Sequence, residues 1–306
     1  MAQRAIRLGD RAWLEATVRT VAPGSRLLGT ERASWGFSNV TDLVALDDGR
    51  RLAVQRLSAA ALARPRVRLE RELSARLADA GIPAPRLLAA APEARPPYLV
   101  TSAIDGTPGP ELMGDGIDAI ALGTEMGRLV RRLWAVDVSD VPLPSVWAMP
   151  ARLAALGDRW LNRVGDGLDA AAATEVGRLV GRVPAAFAGR PAVLAHGDWA
   201  PANVLVVDRA VVAVLDWEFA RLADPLFDPA WWGWVVWHHH PDTWGPAWSA
   251  FLETAGIELD PETVERVRIL VALRLLEVAA SPRLERDPRA RADWLARLAE
   301  TILAED

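Results

Sequence analysis

The stretch His196-Gly197-Asp198-Trp199-Ala200-Pro201-Ala202-Asn203 places a carboxylate five residues ahead of a carboxamide, just before an apolar run. Two such runs, Val204 to Val207 and Val211 to Leu215, flank the turn residues Asp208-Arg209. A small hairpin is therefore expected, delivering Asp216 in Leu215-Asp216-Trp217-Glu218. Taken singly these residues have a plain explanation, because Asp and Asn favour turns. Taken together they offer a pair of oxygen ligands and one free carboxylate. Phosphoryl transfer asks for that set: metal ions bridging phosphate oxygens, and a group that orients and deprotonates the attacking hydroxyl.

Outward from this stretch the pattern changes twice. Asp10 is placed to cap an amphipathic helix through Trp13, Leu14, Thr17, Val18 and Val21, ended by Pro23-Gly24. Val40 to Leu46 and Leu52 to Leu57 flank Asp47-Asp48-Gly49, a hairpin signal. Residues 59–80 read as a helix stopped at Gly81-Ile82-Pro83, followed by short strands near Arg86 to Ala90 and Pro97 to Ala103. Beyond Asp105-Gly106 the segments lengthen and take helical period, most clearly in Ile117 to Trp134, Ala151 to Val164 and Ala170 to Phe187.

Composition narrows the function classes. The 306 residues are 51% apolar and 25% charged, with a formal charge of −5 and scattered basic residues, which argues against nucleic acid as a partner. Cysteine is absent, which excludes disulfides, thiolate nucleophiles and sulfur-bound zinc. Lysine is absent too, so every fixed positive side chain is Arg. Met1 to Thr20 lacks the apolar core of a signal peptide, and the run near Trp231 to Trp237 is too short to span a bilayer. A soluble cytoplasmic protein with no membrane partner is the expectation.

The order Asp198, Asn203, Asp216 resembles the catalytic loop of protein kinases and the metal-binding Asp that follows it. His-Gly-Asp, with Asp-Trp-Glu in place of Asp-Phe-Gly, is similar to the aminoglycoside phosphotransferase and choline kinase branch. The resemblance implies an α+β, bilobal protein-kinase-like fold: a strand-rich nucleotide-binding N-lobe over residues 1–102 and a mainly helical C-lobe over 103–306. ATP would lie between them, with GTP as a possible donor. By resemblance Asp198 is the catalytic base, Asn203 and Asp216 hold Mg²⁺, and His196 braces the loop. Ser34-Trp35-Gly36-Phe37-Ser38-Asn39 resembles the family's phosphate-covering loop, which assigns Ser34, Gly36, Ser38 and Asn39 to the nucleotide. Tyr98 to Ala103 looks like the hinge that cups adenine, with Val100 and Ser102 in it. Asp224-Pro225 and Asp228 match an acidic pair expected to be structural.

The third strand of that fold normally carries a Lys that meets the phosphates and pairs with a helical Glu. Here it reads Leu52-Ala53-Val54-Gln55-Arg56-Leu57, so a strict alignment puts Gln55 at that place and a one-residue shift puts Arg56 there. Arg56 is expected to take the role, with Glu70 rather than Glu72 as its partner. The Trp231, Trp232, Trp234, Trp237, Trp244 and Trp248 cluster either walls an acceptor pocket or packs helices, and His238-His239-His240 does not suit one metal. Glu253, Glu258, Asp260, Glu262 and Glu265 form either an acidic rim for a cationic acceptor or a solvated face. The resulting expectation is a kinase that phosphorylates a hydroxyl of a small molecule, an aminoglycoside or other antibiotic ahead of a metabolite such as an amino alcohol. The competing reading is a non-catalytic nucleotide-binding pseudokinase.

Overall fold

A computed structural model of the protein describes residues 8–33, 40–57 and 60–304. The chain opens with helix α1 (Leu8–Val21), which includes Asp10 rather than starting after it. Strands β1 (Leu27–Arg32), β2 (Val40–Leu46) and β3 (Arg51–Arg56) follow, then helix α2 (Ala60–Asp79) and strands β4 (Leu87–Ala91) and β5 (Tyr98–Ser102). These strands form one antiparallel sheet in the order β1-β2-β3-β5-β4. Alternation assigns its two faces. Val44, Leu46, Leu52, Val54 and Val100 pack against Leu14 and Val18 of α1. Leu43, Ala53, Gln55, Leu99 and Thr101 face a cavity on the other side.

The rest is mainly helical. Strand β6 (Thr107–Pro108) and the short α3 (Gly109–Leu112) lead into α4 (Gly116–Trp134), whose N-terminus is capped by Asp115 accepting from the Ile117 N–H at 2.8 Å. Helices α5 (Pro150–Val164) and α6 (Ala170–Ala186) precede β7 (Val193–Ala195), the hairpin β8 (Val204–Val207) and β9 (Ala210–Val214), and β10 (Arg221–Ala223). Then come α7 (Phe227–His239), α8 (Pro241–Ala255), α9 (Pro261–Ala279), α10 (Pro282–Glu285) and α11 (Pro288–Leu303). Strand β7 pairs with β10, and β6 extends the β8–β9 hairpin. Among the described residues no helix is long and apolar enough to cross a membrane.

The tryptophan-rich helix is largely core. Trp232 is fully buried and stacks on Phe251, with 4.7 Å between ring centroids, and Trp234 donates to Thr301 Oγ1 at 2.9 Å. His238 stacks on Trp234 at 5.2 Å, and no group of three His, Asp or Glu side chains among the described residues is arranged to hold a metal. Three of the five acidic residues read as either a rim or a solvated face are engaged locally: Asp260 caps α9, Glu262 pairs with Arg266 and Glu265 with Arg182.

Helices α4 and α8 approach so closely that two glycines carry the contact. A Cβ at Gly123 would strike the Ala247 carbonyl oxygen, and one at Gly127 would strike the Phe251 carbonyl oxygen and Thr254 Oγ1. Gly181 on α6 faces open space instead. Gly127→Ala should therefore lose about 1–3 kcal/mol of stability to overpacking, outweighing the roughly 1 kcal/mol that Ala gains in a helix. Gly181→Ala should gain up to about 1 kcal/mol. Urea denaturation of the two variants checks the opposite signs.

Candidate active site

The stretch from His196 to Asn203 begins where β7 ends, and its path is set by α7. Asp228 of α7 accepts the His196 N–H at 2.7 Å and the Gly197 N–H at 3.0 Å. Burial pushes the Asp228 carboxyl up from its ordinary value, opposed by His196 and by these two N–H groups. Gly197 sits at φ +87°, and a Cβ there would collide with the Phe219 carbonyl oxygen. Only glycine is comfortable in that backbone region with so close a neighbour.

His196 is fully buried and joins the two halves of the motif. Its Nδ1 accepts from the Asp198 N–H at 3.2 Å while Nε2 meets the Leu215 carbonyl at 2.9 Å, so one tautomer serves both contacts. Trp217 and Trp199 pack edge-on against the ring. This is the bracing role expected of His196.

Asp198 is held at both carboxylate oxygens. The indole N–H of Trp231 donates to Oδ1 at 2.8 Å, and Asn203 Nδ2 donates to Oδ2 at 2.9 Å and to the Asp198 carbonyl at 2.8 Å. Trp231 is in turn clamped from behind. Arg274 lies over its ring and over that of Phe219, 5.3 and 5.2 Å from the centroids, and pairs with Glu277 at 2.6 Å. Arg221 reaches the same carboxylate at 3.2 Å. Burial works against a charge on Glu277, yet the two guanidinium groups hold its pKa below the ordinary value.

Asn203 also connects to the second motif, since its backbone carbonyl accepts the Leu215 N–H at 2.8 Å. The next residue, Asp216, is in the left-handed region at φ 63°, a conformation Asp tolerates and one that recurs at functional turns. Asp216 and Asn203 both line a cavity of about 510 Å³. Leu43, Ala53 and Leu99 of the sheet and Leu205 and Val214 of the hairpin line it too. Its size and mainly apolar lining, with a smaller number of polar groups, suit a small organic ligand.

Two of these lining residues also suit a hard cation. Because Asn203 turns its amide nitrogen toward Asp198, its carbonyl oxygen is the end left for a ligand, and the Asp216 carboxylate belongs to the same cavity lining. Magnesium characteristically takes one or two protein oxygens and completes its shell with phosphates and water, so no dedicated cage is required.

Several sequence expectations resolve differently. Gln55, not Arg56, faces the cavity. Arg56 lies on the opposite face of β3, pairing with the buried Asp42 at 2.7 Å and stacking over Trp13 at 5.2 Å. The reason is alternation without a bulge, since β3 runs in unbroken register with β2 and β5. By the same alternation the Val100 side chain enters the α1-side core while Leu99 and Thr101 face the cavity, which Ser102, the last residue of β5, also borders. Ser102 Oγ accepts the Arg86 N–H at 2.9 Å. Ser34, Gly36, Ser38 and Asn39 lie outside the described residues.

Glu70 is at the cavity, but its partner is a residue that sequence reading did not single out. Arg66, with a side chain 7% exposed, binds Glu70 at 2.8 Å, Asp216 at 2.6 Å and Glu218 at 2.6 Å. Burial pushes the Glu70 carboxyl up against the pull of Arg66. The i,i+4 spacing of Arg66 and Glu70 was the one available signal. Trp231 was likewise missed as a partner of Asp198, since nothing in an aromatic cluster marks which N–H meets the base. Asp224, bound by Arg190 at 2.8 Å, and Asp228 are structural as expected.

Asp228→Asn replaces an acceptor of two N–H groups by a side chain with one acceptor end. We expect a loss of about 1–3 kcal/mol, the cost of a buried unsatisfied polar group. A chemical denaturation midpoint equal to the parent's would contradict this assignment.

A model of the phosphotransferase enzyme family matches residues 29–270. The structure resembles that of wild-type aminoglycoside 2'-phosphotransferase-IIIa in its GDP complex, at 16% identity and a TM-score of 0.78, covering 96% of this chain and 98% of that one. It also resembles macrolide 2'-phosphotransferase type I, at 19% identity and 0.63 over 100% of each chain. A choline/ethanolamine kinase family protein from Mesorhizobium loti aligns at 21% identity and 0.70, over 96% of this chain and 95% of that one. No curated protein sequence matches the chain. These neighbours share its α+β, protein-kinase-like architecture. The match over residues 29–270 spans the sheet, the cavity and the whole stretch from His196 to Asp228, and by it the chain belongs to the phosphotransferase enzyme family.

Proposed function

We propose that the protein transfers the γ-phosphate of ATP or GTP to a hydroxyl of a small molecule. The observation that carries this reading is that Asn203 joins Asp198 through its side chain and the residue before Asp216 through its backbone carbonyl, while Asn203 and Asp216 both line one mainly apolar cavity. The nucleotide base lies between Leu43, Ala53 and Leu99 above and Leu205 below, with its phosphates toward Asp216. In this reading residues 1–102 form the nucleotide-binding lobe and 103–306 the catalytic and acceptor-binding lobe. Asp198 orients the acceptor hydroxyl and takes its proton as the oxygen attacks phosphorus, the leaving nucleoside diphosphate departing on the opposite side. Trp231 and Asn203 fix that carboxylate from both oxygens, so it needs no reorganisation as the proton arrives. Asn203 and Asp216 would hold Mg²⁺, which when bound neutralises charge on the phosphate oxygens.

An antibiotic acceptor is supported by the neighbours, one of which was determined with GDP and kanamycin. A metabolite such as an amino alcohol is supported by the choline/ethanolamine kinase family neighbour. The competing reading, a nucleotide-binding protein without turnover, draws on Gln55 standing where the fold normally has a lysine.

Mg²⁺-dependent ATP and GTP consumption against aminoglycosides, macrolides and amino alcohols tests the proposal. Acceptor-stimulated turnover should fall by about 10²–10⁴-fold in Asp198→Ala while nucleotide affinity is kept. Nucleotide binding without turnover on any acceptor would favour the non-catalytic reading. Trp231→Phe retains the packed ring but removes the N–H at Asp198. It should lower kcat by roughly ten- to a hundredfold, the worth of a hydrogen bond to a charged group, with the KM for nucleotide unchanged.

A further inference from the structure

Resting on that reading, we propose that Arg66 of helix α2 is the positioning residue that replaces the missing strand-three lysine, holding Asp216 for Mg²⁺-nucleotide and tying α2 to the metal-binding turn.

Three observations converge on it. The chain has no lysine, and the strand position that faces the cavity carries the uncharged Gln55. The neighbouring cation, Arg56, is committed to Asp42 and Trp13 on the far face of the sheet. Arg66 fills the same electrostatic place from the helix instead, with Nη2 2.6 Å from Asp216 Oδ1 and 3.4 Å from Gln55 Oε1. Its guanidinium is thus within reach of the strand residue whose charge it would supply.

The geometry suits Arg and not Lys. A planar guanidinium directs donors along three edges, and here Nε meets Glu70, Nη1 meets Glu218 and Nη2 meets Asp216. One ammonium could not span all three carboxylates. Glu70 lies on α2, whereas Asp216 and Glu218 flank the turn after β9, so a single buried side chain fixes the helix against the turn. Without it, three carboxyl groups would face one another at low dielectric and Asp216 would lose its orientation. A divalent cation held by Asp216 would add to this neutralisation, with Arg66 supplying the part of it that is present before the metal binds.

The test is an exchange of charge between strand and helix, read by calorimetric ADP binding in Mg²⁺ and in EDTA, with denaturation midpoints confirming folding. Arg66→Gln should weaken Mg²⁺-ADP binding by about tenfold or more, and ADP in EDTA by clearly less, because the defect lies at the metal carboxylate. Adding Gln55→Lys to that variant should recover most of the loss, a gain several-fold larger than any that Gln55→Lys brings to the parent. Equal weakening in Mg²⁺ and EDTA would reduce Arg66 to a structural ion pair and overturn the proposal. So would Mg²⁺-ADP affinity unchanged in Arg66→Gln, or an effect of Gln55→Lys that is the same in both backgrounds. If Arg66→Gln alone does not fold, the double variant decides: a folded, Mg²⁺-ADP-binding protein supports the exchange, and an unfolded one refutes it. A parent protein that binds neither ADP nor GDP would instead remove the kinase reading, and this inference with it.

Discussion

Asp228 is a buried carboxylate whose two oxygens accept the backbone N–H groups of His196 and Gly197, and the stretch that carries Asp198 and Asn203 takes its course from that contact. Burying it is costly, as the upward displacement of its pKa shows, and the cost is offset because both N–H groups would otherwise be orphaned where β7 ends. Once they are held, Gly197 must pass against the Phe219 carbonyl at positive φ, and His196 is left facing both Asp198 and Leu215. The positions of Asp198, Asn203 and Asp216 then follow from short links rather than from loop flexibility. A helix-borne anchor is a firmer base for such a constellation than a loop would be.

Charge is distributed differently from composition. The chain is net negative, yet two clusters concentrate guanidinium groups behind the site: Arg66 with Glu70, Asp216 and Glu218, and Arg221 with Arg274 around Glu277. Buried ion pairs of this kind contribute little net stability, because desolvation consumes most of the Coulombic gain. What they supply is orientation. Arg274 backs the ring of Trp231, and Trp231 donates to the carboxylate of Asp198. The tryptophan cluster therefore serves both core and candidate site, with Trp232 among aromatics and the adjacent Trp231, about 100° around the helix, at the Asp198 carboxylate.

Much of this was legible along the chain. The hairpin at Asp47-Asp48-Gly49, the helices α4, α5 and α6, and the β8–β9 hairpin all appear where periodicity and turn residues put them, because those signals are local. The motif spacing from Asp198 to Asp216 was local too, spanning one loop and one hairpin. Arg56 was not settled in the same way. Whether Gln55 or Arg56 faces the cavity depends on the registers that β2 and β5 impose on β3, and a single residue's shift would have exchanged them.

Spacing and alternation thus sufficed for the family resemblance, the elements and the acidic residues of the site, since each is encoded within about twenty neighbouring residues. The partners that orient those residues were not encoded nearby. Arg66 meets Asp216 across 150 positions and Trp231 meets Asp198 across 33. An arginine in an arginine-rich helix and a tryptophan in a tryptophan-rich one carry no local mark of such a contact. Packing of α2 against the Asp216 turn, and of α7 and α9 beneath the Asp198 loop, selected which side chain would lie within hydrogen-bond reach, and burial gave that choice its electrostatic weight.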